Sequence, residues 1–170
     1  MATKAAMKAL AAAWFAFCCS SSAEAATQNA TVTANITKPL TLTSLQNLDL
    51  GTITLKPGAW SNATVGISRT GAFSCASTNV VCTGATQVAR YKVTGTNKQT
   101  VSITAPNVTL INQADSTKSL TLVVDNPGQV VLTSSGEPGN NFDLGGSITL
   151  TPTTASGTYQ GTFNVTVDYQ

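Results

Sequence analysis

The chain has 170 residues, nine Lys and Arg against seven Asp and Glu, no His, and only 9% charged side chains. Charge so sparse, unclustered and nearly balanced argues against nucleic acid or an acidic membrane surface as a partner. Without His, a Ser or Cys triad of the usual sort is excluded, and a zinc site lacks its commonest ligand.

The N-terminus is basic from Met1 to Lys8 and uncharged from Ala9 to Cys19, and it then passes into the small residues around Ser20–Ala25. That order predicts a secretory signal over 1–25, and the apolar run is shorter than a membrane-spanning helix requires. A membrane anchor is the lesser alternative. A lipoprotein is disfavoured because aromatic residues precede Cys18 and Cys19 where a lipobox needs Leu and small residues. Cleavage near Ala25 leaves about 145 residues, the size of one domain, with no membrane anchor in the mature chain. Cys75 and Cys82 are then the remaining thiols, and in an oxidising compartment two nearby Cys are most simply a disulfide closing a short loop.

From Ala26 the sequence alternates, placing Ala30, Val32, Ala34 and Ile36 on one side and Thr and Asn on the other, a strand pattern over 26–36. Pro39 interrupts it, and the domain proper, 37–170, follows. Leu48–Leu55 reads as a strand whose phase slips at Gly51, the mark of a bulge. Further strands are expected at 63–68, 90–94, 100–104, 108–111, 120–124, 129–132 and 147–151. The region 69–87 is expected to be a hairpin or long loop fixed by the disulfide, 136–141 a loop, and Gly145-Gly146 a turn. In Gly157–Tyr169 the residues Tyr159, Gly161, Phe163, Val165, Val167 and Tyr169 fall on one face, which predicts one long strand. It is expected to pair with 147–151 across a turn at 153–157. Nine or ten short strands with regular turn signals, and no amphipathic helix, predict an all-β fold: an immunoglobulin-like antiparallel sandwich, with a closed barrel as runner-up.

Chemistry is scarce in this pattern. Scattered carboxylates read as solvated turn residues rather than a glycosidase pair. Asn140, Asn141 and Asp143 lack the spacing of a calcium loop, and the Gly pairs lack the strand-to-helix transition of a phosphate loop. Five Asn-X-Thr triplets, at Asn29, Asn35, Asn62, Asn107 and Asn164, are what chance gives when about one residue in six is Thr. No enzyme, cofactor or metal is expected.

The alternating Ala30–Ile36 start, the Leu48-Asp-Leu-Gly51 element and the C-terminal Gly157–Tyr169 strand resemble secreted bacterial pilin-type domains, namely subunits of archaic chaperone-usher fimbriae and spore coat protein U-like domains. The resemblance spans the mature chain, with its specific part at the two ends. It implies a sandwich lacking one strand, completed by a donor strand from a neighbouring copy in a surface fibre. A periplasmic chaperone and an outer-membrane usher would be the partners before assembly. On this likeness Ala30, Val32, Ala34 and Ile36 are the donor residues. Phe163, Val165, Val167 and Tyr169 form one wall of the acceptor groove. The chain departs from the archaic pattern after the first strand, where Lys38-Pro39-Leu40 stands in place of a Cys.

The function expected is a fimbrial subunit for adhesion or biofilm formation. The alternative is a monomeric secreted module binding carbohydrate or another surface, with Trp60, Tyr91 and Tyr159 as stacking faces.

Overall fold

A computed structural model describes residues 27–170, so the secretory signal expected over 1–25 lies outside the described residues. Residues 27–40 belong to no strand, and Ile36–Gln170 forms one compact unit. Among the described residues there is no helix, and hence none long and apolar enough to cross a membrane.

The strands are β1 (Thr41–Gln46), β2 (Thr52–Leu55), β3 (Ala63–Ile67), β4 (Phe73–Ser74), β5 (Val80–Thr83), β6 (Ala89–Thr94), β7 (Thr100–Thr104), β8 (Val108–Asn112), β9 (Ser119–Asp125), β10 (Gln129–Val131), β11 (Asn140–Leu150), β12 (Tyr159–Gln160) and β13 (Thr166–Tyr169). All pairings are antiparallel and sandwich-like. The largest sheet runs β1-β6-β11-β9-β8-β12, with β3 joining β11 and β4 joining β3, while β10-β7-β13 and β2-β5 form smaller sheets.

Period-2 alternation decides which side chains are buried. In β3, Ala63, Val65 and Ile67 point inward, and in β11 Leu144, Ile148 and Leu150 do the same. On the outer face Thr64 stands opposite Thr149 and Thr109 opposite Thr121, hydroxyl residues that cost little to leave in water. Two clusters fill the interior. One gathers Val93, Val101, Ile103, Leu132, Phe142 and Leu144; the other gathers Val65, Val80, Val108, Leu122, Ile148 and Leu150. Leu48, Val124 and Phe163 pack against both clusters.

Three expectations about local structure need correction. First, Gly145-Gly146 is no turn, because the 11-residue β11 runs straight through it. A Cβ on Gly145 would strike the backbone of Ile67, Ser68 and Arg69, and one on Gly146 would lie 2.9 Å from the Leu122 side chain. These glycines permit close approach of neighbouring chains rather than a reversal. Second, the C-terminal stretch is two short strands separated by 161–165. It pairs with β8 and β7 and not with 147–151. Between the two ladders five residues (161–165) face six (105–110), and Pro106 in the longer segment lacks an amide hydrogen, so regular pairing lapses there. Third, the expected loop at 136–141 gives way at Asn140 to β11, whose Asn140–Leu144 half pairs with β6.

Candidate functional site: a groove between two open sheet edges

β1 and β2 belong to one interrupted ladder. β1 pairs with β6, a bridge joins Asp49 to Gln87, and β2 pairs with β5. The interruption is built by Gly51, whose φ is 72°; its amide donates to Asp49 Oδ1 at 2.8 Å, and a Cβ there would lie 2.7 Å from the Thr83 carbonyl oxygen. Only Gly fits both the left-handed backbone and that contact. The phase slip read at Gly51 is therefore a real irregularity, and it lets Leu48, Leu50, Ile53 and Leu55 all turn toward the interior.

The opposite wall is the segment 155–163. Asn112, 2% exposed, holds it: its Nδ2 donates to the Ser156 carbonyl at 3.0 Å, while its Oδ1 accepts the Ala114 amide at 2.9 Å. The Tyr159 hydroxyl donates to the Ala155 carbonyl at 2.9 Å, and the Gln113 amide donates to the Thr158 carbonyl at 2.8 Å.

Between these walls lies a groove of about 1380 Å³. Its floor is apolar, formed by Val108, Leu110, Leu120, Leu122, Ile148 and Leu150, and Phe163 lines it from the C-terminal side. Toward one end stands Tyr91, stacked on Phe142 with ring centroids 5.6 Å apart. Burial pushes the Tyr91 phenol above its ordinary value, so it stays neutral at physiological pH. Among the described residues β2 pairs only with β5 and β12 only with β8, and both strands line the groove, so each wall is a sheet edge with no second strand partner among those residues. The outer side of a sheet edge carries backbone amides and carbonyls that a further strand can pair with.

Ala30, Val32, Ala34 and Ile36 are exposed and belong to no strand, with Val32 at 91% and Ile36 at 87% exposure. Of the expected groove wall, Phe163 lines the groove. Val165, Val167 and Tyr169 instead pack against the other core cluster, with Val167 opposite Ile103 and Tyr169 opposite Val101 in β13–β7. The Tyr169 hydroxyl accepts the Thr96 amide at 2.7 Å and donates to the Lys38 carbonyl at 2.6 Å, fixing where the chain enters the fold.

Sequence reasoning missed the floor and the 47–55 wall. Leu48, Leu50, Ile53 and Leu55 carried the signal as a run whose phase slips, but the slip alone does not say that the far side is open.

The expected disulfide joins Cys75 to Cys82, with Cα atoms 6.3 Å apart. The remaining polar candidates are engaged structurally. Asp143 takes a bidentate ion pair from Arg90 at 2.7 and 2.8 Å, which raises the Arg90 pKa further, and Asn140 Oδ1 accepts the Thr133 amide at 3.0 Å. The Trp60 indole donates to the Lys56 carbonyl at 3.0 Å and covers the second core cluster. Among the described residues no group of three or more His, Cys, Asp or Glu gathers as a metal site would need.

No curated protein and no solved structure matches the chain. A family model described as a domain of unknown function (DUF4402) matches residues 40–169, from the entry of β1 to the end of β13, and the chain belongs to that family.

Proposed function

We propose that this chain is a structural, non-enzymatic subunit of a surface fibre, and that its groove accepts the N-terminal segment of a second copy as an added strand. The observation that carries this reading is the groove itself, a trough with an apolar floor and mixed walls, bounded by two sheet edges that have no second strand partner among the described residues. The segment before β1 suits the other half of such a joint. It alternates Ala30, Val32 and Ala34 with polar residues and holds no strand of its own.

Direction also favours an open chain of subunits. The N-terminal segment leaves the fold at Lys38, beside Tyr169, whereas the groove runs along 155–163, six or more residues up the C-terminal stretch. At no more than about 3.3 Å per residue, Phe163 lies at most roughly 20 Å from that exit. A head-to-tail contact of this kind propagates as a filament unless its rotation happens to close a ring.

The energetics place demands on the groove. Ordering a nine-residue strand costs about 1–2 kcal/mol per residue in backbone entropy, and each backbone hydrogen bond returns only about 1 kcal/mol net. The surplus has to come from apolar side chains and from edges that would otherwise stay unpaired. Lys38 is tied at both its amide, to the Thr96 hydroxyl at 2.6 Å, and its carbonyl. Ile36 is therefore tethered close to its own subunit, and the plugs free to reach a neighbour are Ala30, Val32 and Ala34. Before assembly the same edges need protection, which fits a periplasmic chaperone and an outer-membrane usher as partners and the cell surface as destination.

Deleting 26–33 tests the proposal: the shortened chain folds but builds no fibres in electron micrographs, and fibres from the deletion variant would refute it. One observation favours a second reading, a monomeric carbohydrate-binding module, because Tyr91 and Tyr159 line the same groove beside Asn47, Asp49 and Thr158. A chain that stays monomeric in size exclusion and binds oligosaccharide through those rings would support that module.

A further inference from the structure

We infer that the Cys75–Cys82 disulfide is the latch that forms the groove, so that the subunit accepts a strand only in its oxidised form. This rests on the strand-accepting reading of the groove.

The argument starts from how the 52–55 wall is held. Among the described residues β2 has one strand neighbour, β5, and β5 has one, β2. An isolated two-stranded ladder is marginally stable in water and needs a further strand or a packed face; the face here is Val80, Ile53 and Leu55 against the second core cluster, so the wall depends on how firmly the ladder is held over that cluster. Continuity with β1–β6 is weakened by the irregularity at 46–51, where regular pairing is reduced to the Asp49–Gln87 bridge. The covalent tie comes from the other end. Cys82 lies within β5 directly opposite Ile53 of β2, and Cys75 follows β4, which pairs with β3 in the large sheet. The disulfide thus fastens the free ladder to the large sheet at the residue facing Ile53. Both Cys pack against the same core cluster as Ile53 and Leu55, so the latch and the groove wall share one apolar contact zone.

Reduction follows ordinary exchange chemistry. A dithiol reductant attacks one Sγ to give a mixed disulfide, its second thiol displaces the protein sulfur, and the Sγ–Sγ bond is replaced by two Sγ–H while the reductant becomes a disulfide. Two electrons and two protons pass to the protein. In a reducing compartment the wall then stays unformed and the chain cannot accept a strand from another copy. On oxidation the groove assembles.

The test uses the full-length chain and a fluorescent peptide of the 27–37 sequence as probe, with anisotropy read for the oxidised chain, the dithiol-reduced chain and C75A/C82A. If the wall is ordered in about a tenth of the reduced molecules, apparent affinity falls about tenfold. Hydrogen exchange without peptide gives the second readout: amides of β2 and β5 lose protection on reduction while those of β9 and β11 keep theirs. Equal peptide affinity in the two redox forms overturns the inference, and so does uniform loss of protection, which would make the disulfide a global staple. If the oxidised chain binds no peptide, the strand-accepting reading fails and this inference with it, an outcome distinguishable from a latch that does not matter.

Discussion

Val32→Asp separates the subunit from the joint. Val32 is 91% exposed, so the substitution removes no contact its own fold depends on. An exposed change away from packing or caps shifts stability by no more than about 0.5 kcal/mol, and the melting temperature of the isolated chain is expected to stay within a degree or two. In the proposed joint the same position lies over the apolar floor of the groove. Losing a buried Val there costs about 1.5–3 kcal/mol in transfer free energy. At 1.4 kcal/mol per decade that alone weakens each joint roughly ten- to a hundredfold, before any penalty for bringing a carboxylate over Leu110 and Leu120. The assay pairs a thermal melt followed by circular dichroism with sedimentation and electron microscopy at matched concentrations. Val32→Ile, which keeps the apolar plug, should assemble as the parent does. If Val32→Asp yields fibres at the parent concentration with an unchanged melt, Val32 does not enter the groove and the donor assignment is refuted.

Three further predictions concern the scaffold. Tyr169→Phe leaves the Thr96 amide and the Lys38 carbonyl without their shared partner and should cost about 1–3 kcal/mol, read as a lowered melting temperature with faster amide exchange near Thr96. Gly145→Ala puts a methyl into the backbone of 67–69 and should destabilise by about 1–3 kcal/mol or more, so a variant as stable as the parent would contradict the close approach of β11 to that segment. The Asp115 carboxyl is held below the usual range mainly by hydrogen bonds from the Thr117 hydroxyl and amide, at 2.6 and 3.0 Å. Because the folded value is depressed, its contribution is present above the ordinary carboxylate pKa near about 4 and is lost as pH falls through the folded value. Thr117→Ala should therefore move the Asp115 midpoint upward in a pH titration followed by NMR, and an unmoved midpoint would refute the hydroxyl as the main cause.

Local pattern carried most of the fold. β3 and β7 lie where alternation of inward Val and Ile with outward Thr and Ser put them, and β8 where inward Val108 and Leu110 alternate with outward Thr109 and Ile111, because burial of one face is a property of a few consecutive residues. The failures share a cause. At Gly145-Gly146 the sequence offers a turn signal, but the reason for those glycines lies dozens of residues away, in the backbone of Ile67–Arg69 against Gly145 and the Leu122 side chain against Gly146. In Gly157–Tyr169 the alternation is perfect, yet pairing lapses at 161–165 because Pro106 lies in the neighbouring segment. Periodicity registers which face is buried; it does not register what the adjacent chain can offer.

The same distinction explains how much of the groove was legible. Phe163 was readable because a large aromatic in an alternating strand must be buried somewhere, and it does line the trough. Val165, Val167 and Tyr169 have the same periodicity, but the stretch crosses from the β8 ladder to the β7 ladder, and beyond that crossing the inward face meets Val101, Ile103 and Leu132 instead of open space. The far wall was readable only as a strand with a slipped phase. Whether Leu48, Leu50, Ile53 and Leu55 face a filled interior or an open trough depends on where 155–163 is held, and that is set by non-local contacts: the buried Asn112 amide reaching the Ser156 carbonyl, the Gln113 amide reaching the Thr158 carbonyl, and the short β12–β8 pairing. An open trough leaves no residues of its own to read. It shows only as two edges with apolar side chains between them and no further strand among the described residues paired with either, and that can be seen only once the register of the other strands is known.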